Sequence, residues 1–261
     1  MKLKQMLLLA VLAVCFQFNV AAQTDAPAPK VQSNPAIVPV PRTDHATNRQ
    51  SQVLQRAKEA PGDYDIEFIG DSITQGWENA SPDGGKNVWK EFYGKRKVIN
   101  FGVGGDRTEH VLWRLEQGQL DGIKARVAVV MIGTNNSNQN KDGADAYSDA
   151  EILQGITAIV NEIRRRQPDT KILLVGIFPR SSQFSHQRGK LLQINQALAK
   201  LDDSKHIFYL DFGSLLIEKD GSISRDIMPD ALHPNEAGYR IWASAMEPEL
   251  KKLLAGSDQG F

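Results

Sequence analysis

Cysteine is almost absent from this 261-residue chain: Cys15 is its only one, and it lies inside an N-terminal apolar run, MLLLAVLAVCF. Lys2 and Lys4 precede that run, and Val20-Ala21-Ala22 follows it with small residues. The layout is that of a secretory signal peptide, expected over residues 1–22. Its removal would leave an exported chain, periplasmic or extracellular, with no thiol. Disulfides, a cysteine nucleophile and thiolate metal ligands are then excluded, and the core must stabilise the fold unaided. Val14 stands before Cys15, where lipid attachment would want a small residue. The apolar run is also too short for a comfortable membrane span, so no stable membrane anchor is expected.

An excess of either charge is missing too. Lys and Arg number 31 against 31 Asp and Glu, and losing Lys2 and Lys4 leaves the mature chain slightly acidic. No nucleic-acid partner is expected from such a balance. The one basic run, Arg164-Arg165-Arg166, falls at the end of a predicted helix, where it complements the helix dipole. No internal repeat is visible.

What remains is an ordinary globular composition, 41% hydrophobic and 24% charged, enough for one α/β domain. Residues 23–44 (QTDAPAPKVQSNPAIVPVPRTD) are rich in Pro and Ala and read as a flexible or extended lead-in. The domain is expected over 45–256, followed by a short tail at 257–261. A helix is predicted across TNRQSQVLQRAKEA, stopped by Pro61-Gly62. Strands and helices then alternate. The strand candidates are DIEFI (65–69), KVINF (97–101), VAVVMI (127–132), KILLVGIF (171–178) and HIFYLDF (206–212). They are mostly continuous aliphatic runs, as strands buried on both faces are. The alternation predicts a parallel sheet with helices on both faces.

In such open sheets chemistry collects at the carboxyl ends of the strands. The first candidate strand runs into Gly70-Asp71-Ser72, the second into Gly102-Val103-Gly104-Gly105-Asp106 and the third into Gly133-Thr134-Asn135-Asn136. The fourth runs into Pro179-Arg180, and Asp230-Ala231-Leu232-His233 precedes the last predicted helix. A serine nucleophile needs a base, usually histidine, and a carboxylate to orient that histidine. Of the five histidines, His233 alone has an Asp three residues before it in such a loop. Asp230, His233 and Ser72 are therefore the candidate catalytic residues. His110 competes as base, but Asp106-Arg107-Thr108-Glu109 has the pattern of a capping box, which makes Asp106 a helix N-cap. An oxyanion needs donors: the backbone N–H groups of Ser72 and Gly105 and the Asn135 amide are the candidates. A tight turn for Gly104-Gly105 and a helix cap for Asn135 are the alternatives. The Gly-x-Ser-x-Gly elbow of α/β-hydrolases is missing, so activation must come from His233, far along the chain.

These blocks resemble those of the SGNH or GDSL hydrolase superfamily: Gly70-Asp71-Ser72, Asn100 to Asp106, Gly133-Thr134-Asn135 and Asp230-Ala231-Leu232-His233. The resemblance runs from about His45 to Leu254. The stretch NFGVGGDRTEHVLWRLEQGQLDGIKARVAVVMIGTNN is similar, more closely, to the catalytic subunits of intracellular type I platelet-activating factor acetylhydrolase. The resemblance implies a flavodoxin-like three-layer α/β/α sandwich on a five-stranded parallel sheet, no metal or cofactor, and an acetyl group as the usual acyl part. It places Ile73, Thr134 and Leu232 around the acyl pocket. It also raises a homodimer, since those subunits pair. The expected function is an exported serine esterase acting on a small-molecule or polysaccharide acetyl ester, the carbohydrate ranked first because many exported bacterial members deacetylate polysaccharides. Phospholipids like platelet-activating factor are the alternative, and a silent carbohydrate-binding protein on the same fold is the rival from outside enzymology. The segment ENASPDGGKN reads as an inserted loop near the mouth of the site. Trp77 and Trp89 flank it, either as core residues or as stacking surfaces for a sugar.

Overall fold

The computed structural model describes residues 33–255. The expected signal peptide, the first part of the lead-in and the tail at 257–261 lie outside the described residues. Five strands form the sheet: β1 (Gly62–Gly70), β2 (Val98–Gly102), β3 (Ile123–Met131), β4 (Lys171–Val175) and β5 (Ile207–Leu210). All pairings are parallel, in the order β2-β1-β3-β4-β5. The helices are α1 (Thr47–Glu59), α2 (Ser72–Gln75), α3 (Lys86–Tyr93), α4 (Thr108–Glu116), α5 (Asp149–Arg166), α6 (His186–Leu198) and α7 (Glu236–Ala255). Each strand and long helix expected from the sequence is present, with ends moved by a few residues. No helix among the described residues is long and apolar enough to cross a membrane.

Alternate residues of β3 show why the sheet needs cover on both sides. Ala128 and Val130 join a core with α1, α4, α5 and α6, while Val127, Val129 and Met131 join a second core with α3 and α7. The result is a three-layer α/β/α sandwich. Helix α5 illustrates how local sequence sets an element. Ser148 and Glu151 close a capping box, with the Glu151 N–H donating to Ser148 Oγ at 3.2 Å and the Ser148 N–H to Glu151 Oε2 at 2.7 Å. Ile152, Ile156, Ile159, Val160 and Ile163 then form one buried stripe at helical spacing. The three arginines do fall in its last turn.

The lead-in departs from expectation over its second half. Asn34 caps a short 3₁₀ turn at Pro35–Ile37 and accepts from the Ala36 N–H at 2.8 Å. Ala36 is buried, its carbonyl accepts from Thr108 Oγ1 at 2.8 Å, and Arg42 is buried as well. The packed domain thus begins at Asn34 rather than His45. A Pro-rich stretch cannot build a core of its own, but it needs only two or three side chains to settle on one already built.

Candidate active site

The strand order reverses between β2-β1 and β1-β3, which makes the crevice beside the end of β1 the topological switch point. The ladder register places Gly70 opposite Gly102 on one side and opposite Met131 on the other. Three loops therefore leave the sheet at one level: Asp71-Ser72, Val103 to Asp106, and Thr134-Asn135. Asp71 caps α2 by accepting from the Ile73 N–H at 2.9 Å, which makes Ser72 the first helical residue. Burial pushes the Asp71 carboxyl up to about 7. Gly102 allows β2 to run against this short helix, because a Cβ there would stand 2.2 Å from the Gln75 backbone nitrogen.

The fourth loop supplies a histidine. His233 Nε2 lies 2.9 Å from Ser72 Oγ, and His233 Nδ1 lies 2.7 Å from Asp230 Oδ2. With the Nδ1–H donated to Asp230, Nε2 is left to accept from the serine hydroxyl. The pair is set by a local turn. Asp230 Oδ1 accepts the backbone N–H groups of Leu232 and His233 at 3.0 and 2.7 Å, and Ala231 takes a left-handed φ of 56°. Partial burial alone would raise the Asp230 carboxyl; the hydrogen bonds from His233 outweigh it and hold it below the usual range. His110 is elsewhere. It is buried in α4, its Nδ1 accepts from the Arg107 N–H at 3.0 Å, and burial pushes it down to about 4.

Donors gather opposite. Neither the Ser72 nor the Gly105 N–H has a protein acceptor among the described residues. Gly105 is held at φ 76°, and a Cβ on it would stand 2.9 Å from Arg42 Nη2. Asn135 spends one amide hydrogen on the Asp106 carbonyl at 2.9 Å, leaving the other available. The sequence pattern misassigned Asp106. Helix α4 starts at Thr108, whose N–H donates to Asn136 Oδ1 at 3.0 Å, and Asp106 is not its cap. The Asp106 carboxylate is clamped instead by Arg114, with Nε at 3.0 Å and Nη2 at 2.9 Å, and by Arg42 Nη1 at 3.1 Å. Arg42 Nη1 also donates to the Gly104 carbonyl at 2.9 Å.

Ile73 and Thr134 are buried and Leu232 is half-buried; Ile73 and Leu232 pack in the same core. Ser72 and His233 open onto a cleft of about 470 Å³ whose walls include none of those three. One further feature was not legible. Arg180, after β4, donates through Nη1 to the Thr134 carbonyl at 3.0 Å and to Asn138 Oδ1 at 2.9 Å. Burial lowers its pKa against the opposing pull of Asp71 and Asp230. Trp77 is fully buried, 4.5 Å from the Tyr239 ring and 4.9 Å from the Trp242 ring between centroids, so it offers no face to a sugar. Trp89 packs into the same aromatic group, 4.9 Å from Phe68.

A parallel sheet with a serine, a histidine and backbone donors at its switch point is an arrangement suited to ester hydrolysis. The chain belongs to the GDSL-like lipase/acylhydrolase family, which it matches over residues 68–241, and it is a carboxylic ester hydrolase. It is 33% identical over 233 residues to human platelet-activating factor acetylhydrolase IB subunit alpha1, covering 88% of this chain and 94% of that one. Two solved structures share the fold at lower identity. A GDSL-like lipase from Bacteroides thetaiotaomicron superposes with a TM-score of 0.62 at 17% identity, over 78% of this chain and 98% of its own. The acetyl xylan esterase AlAXEase does so with 0.58 at 19% identity, over 70% and 98%.

Proposed function

We propose that this protein is an exported acetyl esterase in which Ser72 is the nucleophile. His233 takes the Ser72 proton as Oγ bonds to the acyl carbon, and Asp230 stabilises the imidazolium. The oxyanion is received by the Ser72 and Gly105 N–H groups and the Asn135 amide. His233 returns the proton to the departing alcohol oxygen. It then activates a water that attacks the acyl-serine, and acetate leaves with Oγ reprotonated. The observation that carries this reading is the unbroken contact chain Ser72 Oγ, His233 Nε2, His233 Nδ1, Asp230 Oδ2, at 2.9 and 2.7 Å.

An acetyl ester of a carbohydrate is the preferred substrate. The acetyl part is supported by the 33% identity to an acetylhydrolase subunit. Export rests on the apolar N-terminal run behind Lys2 and Lys4. An acetylated phospholipid is the second reading, favoured by the 33% identity to an acetylhydrolase subunit of that name. Ser72→Ala is the test. Loss of p-nitrophenyl acetate hydrolysis, together with loss of covalent labelling by a fluorophosphonate, is expected; full activity in the variant would overturn the assignment.

A further inference from the structure

A second cavity, of about 570 Å³, opens between α6 and the turn that follows β5, and its volume lies in the range of small-molecule sites. It shares no residue with the cleft that holds Ser72 and His233. Ile177 and Leu191, both buried, line it. Phe184 and Leu192 line it too, yet they are 77% and 58% exposed, and Leu215, 58% exposed, adjoins its wall residue Ser214. These are the three most exposed large apolar side chains among the described residues, gathered at one opening. Phe184 is seated there by Gly221, where a Cβ would stand 2.3 Å from the ring. An apolar cluster left in water around a concave site marks a binding surface.

The cavity also carries a charge that the described residues leave uncompensated. Arg188, in the first turn of α6, lines it and is only 8% exposed. Its Nε donates to the Arg180 carbonyl at 3.1 Å, and Nη1 and Nη2 donate to the carbonyls of Gly221 and Ser181. A guanidinium has five N–H groups, so one remains on each of Nη1 and Nη2. No carboxylate pairs with it among the described residues, and burial lowers its pKa with no neighbouring charge to offset the effect. Buried cations are ordinarily paired, and the helix N-terminus adds to the positive potential at this end. Asp211 is the one carboxylate on the wall. It is exposed and accepts from the Gly213 N–H at 2.8 Å and the Asn195 amide at 3.3 Å. Asn195 is two helical turns from Arg188, about 10 Å along α6.

The two ends differ in what they hold well. An ion pair in water is weak, whereas charge-assisted bonds to a desolvated guanidinium are strong. A cationic ligand would gain little at exposed Asp211 and would bury its chain against Arg188. A neutral ligand would cover Arg188 and bring it no counter-charge. We infer that this cavity binds a single-chain aliphatic anion, with its head on Arg188 and its chain along Phe184, Leu191 and Leu192. The site stands apart from the esterase centre and does not depend on which residue is the nucleophile.

Isothermal titration calorimetry with hexanoate, octanoate and decanoate tests this, octanol and octyltrimethylammonium serving as the neutral and cationic controls. Affinity for the carboxylates is expected to rise by about fourfold per buried methylene, and both controls to bind at least tenfold more weakly than octanoate. Leu192→Glu alters an exposed position at the opening, and thermal melting checks that it is folded. It is expected to lower decanoate affinity at least tenfold while p-nitrophenyl acetate hydrolysis is kept. Affinity independent of chain length, a control that binds as well as octanoate, or a Leu192→Glu variant that binds decanoate unchanged would overturn the inference. Competitive inhibition of p-nitrophenyl acetate hydrolysis at the same decanoate concentrations would place the chain in the catalytic cleft and overturn it too. So would a wild type that gives no heat with decanoate and is a dimer that Leu192→Glu splits, since the face then belongs to a second copy.

Discussion

Replacing Arg114 by Met tests how the proposed oxyanion loop, Val103 to Asp106, is held. Arg114 and Asp106 are both fully excluded from solvent, and their contacts measure 3.0 and 2.9 Å. Arg114 also reaches Gln119 and, at 3.5 Å, the Gly70 carbonyl at the end of β1. Methionine fills much the same space but leaves the Asp106 carboxylate inside the fold with Arg42 as its only cation. Breaking a buried pair in this one-sided way costs about 3–5 kcal/mol. For a domain of this size each kcal/mol moves Tm by about 2–4 °C, so a fall of roughly 6–20 °C is expected.

Activity should fall by a separate route. The Asp106 carbonyl orients the Asn135 amide at 2.9 Å, and Gly105 is the residue before it. Losing one oxyanion donor outright costs about 10²–10³ in kcat; a loosened loop should lie at the lower end, with KM little changed. The decisive arm is the double variant Arg114→Met with Asp106→Leu. Removing both charges leaves none orphaned, so most of the lost Tm should return. Thermal melting and steady-state hydrolysis of p-nitrophenyl acetate read both effects. A single variant that melts within about 2 °C of wild type, or a double variant as unstable as the two singles added, would refute the clamp.

Three other outcomes follow from named groups. Burial pushes the Glu67 carboxyl up to about 8 from 4.5, so it stays protonated in the fold while the unfolded chain ionises, and stability drains away as pH rises between those values. Glu67→Gln should therefore raise Tm at pH 8 by several degrees and hardly at pH 4; an equal gain at both would refute the linkage. Gly105→Ala places a methyl on a residue at φ 76° and 2.9 Å from Arg42, and kcat for p-nitrophenyl acetate should drop at least about tenfold, whereas an unchanged kcat would remove Gly105 from the donor set. Asp230→Asn keeps the shape of the turn but loses the carboxylate that fixes the His233 tautomer. Its kcat should fall by about 10² or more, less than for a fully buried triad acid because the Asp230 side chain is 56% exposed; retention of half the wild-type rate would count against its role.

The architecture was legible because its signals are local. Each strand is a short aliphatic run and each long helix carries caps or a buried stripe, as in Ser148, Glu151 and the isoleucines of α5. The site blocks were legible because parallel strands deliver their loops to one edge. What escaped was what depends on distant partners. Asp106 carries the sequence signature of an N-cap, yet Asn136, from the next strand's loop, takes that task and frees Asp106 for two arginines. Arg42 sits in a stretch whose composition reads as linker, 64 residues from Asp106, and Arg114 is buried in α4 beside Val111 and Leu115. For Trp77 the polar flanking loop left core and platform both open, and Tyr239 and Trp242, far along the chain, decide for the core.

The groups of the candidate site are held with two kinds of rigidity. Ser72, Gly105 and Asn135 inherit their positions from the sheet register, reinforced by Asp106 and its arginines, so moving one of them strains buried structure. Asp230 and His233 depend on a local turn, with two backbone donors onto Asp230 Oδ1, and on one bond from the loop after β4, the Ser181 N–H onto the Ala231 carbonyl at 2.9 Å. The Asp230 and His233 side chains in that turn are about half-exposed. In the proposed mechanism the acid–base pair gives and takes a proton with two different oxygens, the alcohol and the water, and a small reorientation of the ring serves both. The proposed oxyanion donors would receive the same oxygen in both halves of the reaction and gain from being fixed. Substitutions in the turn should accordingly lower kcat with little change in Tm, while those around Asp106 lower both.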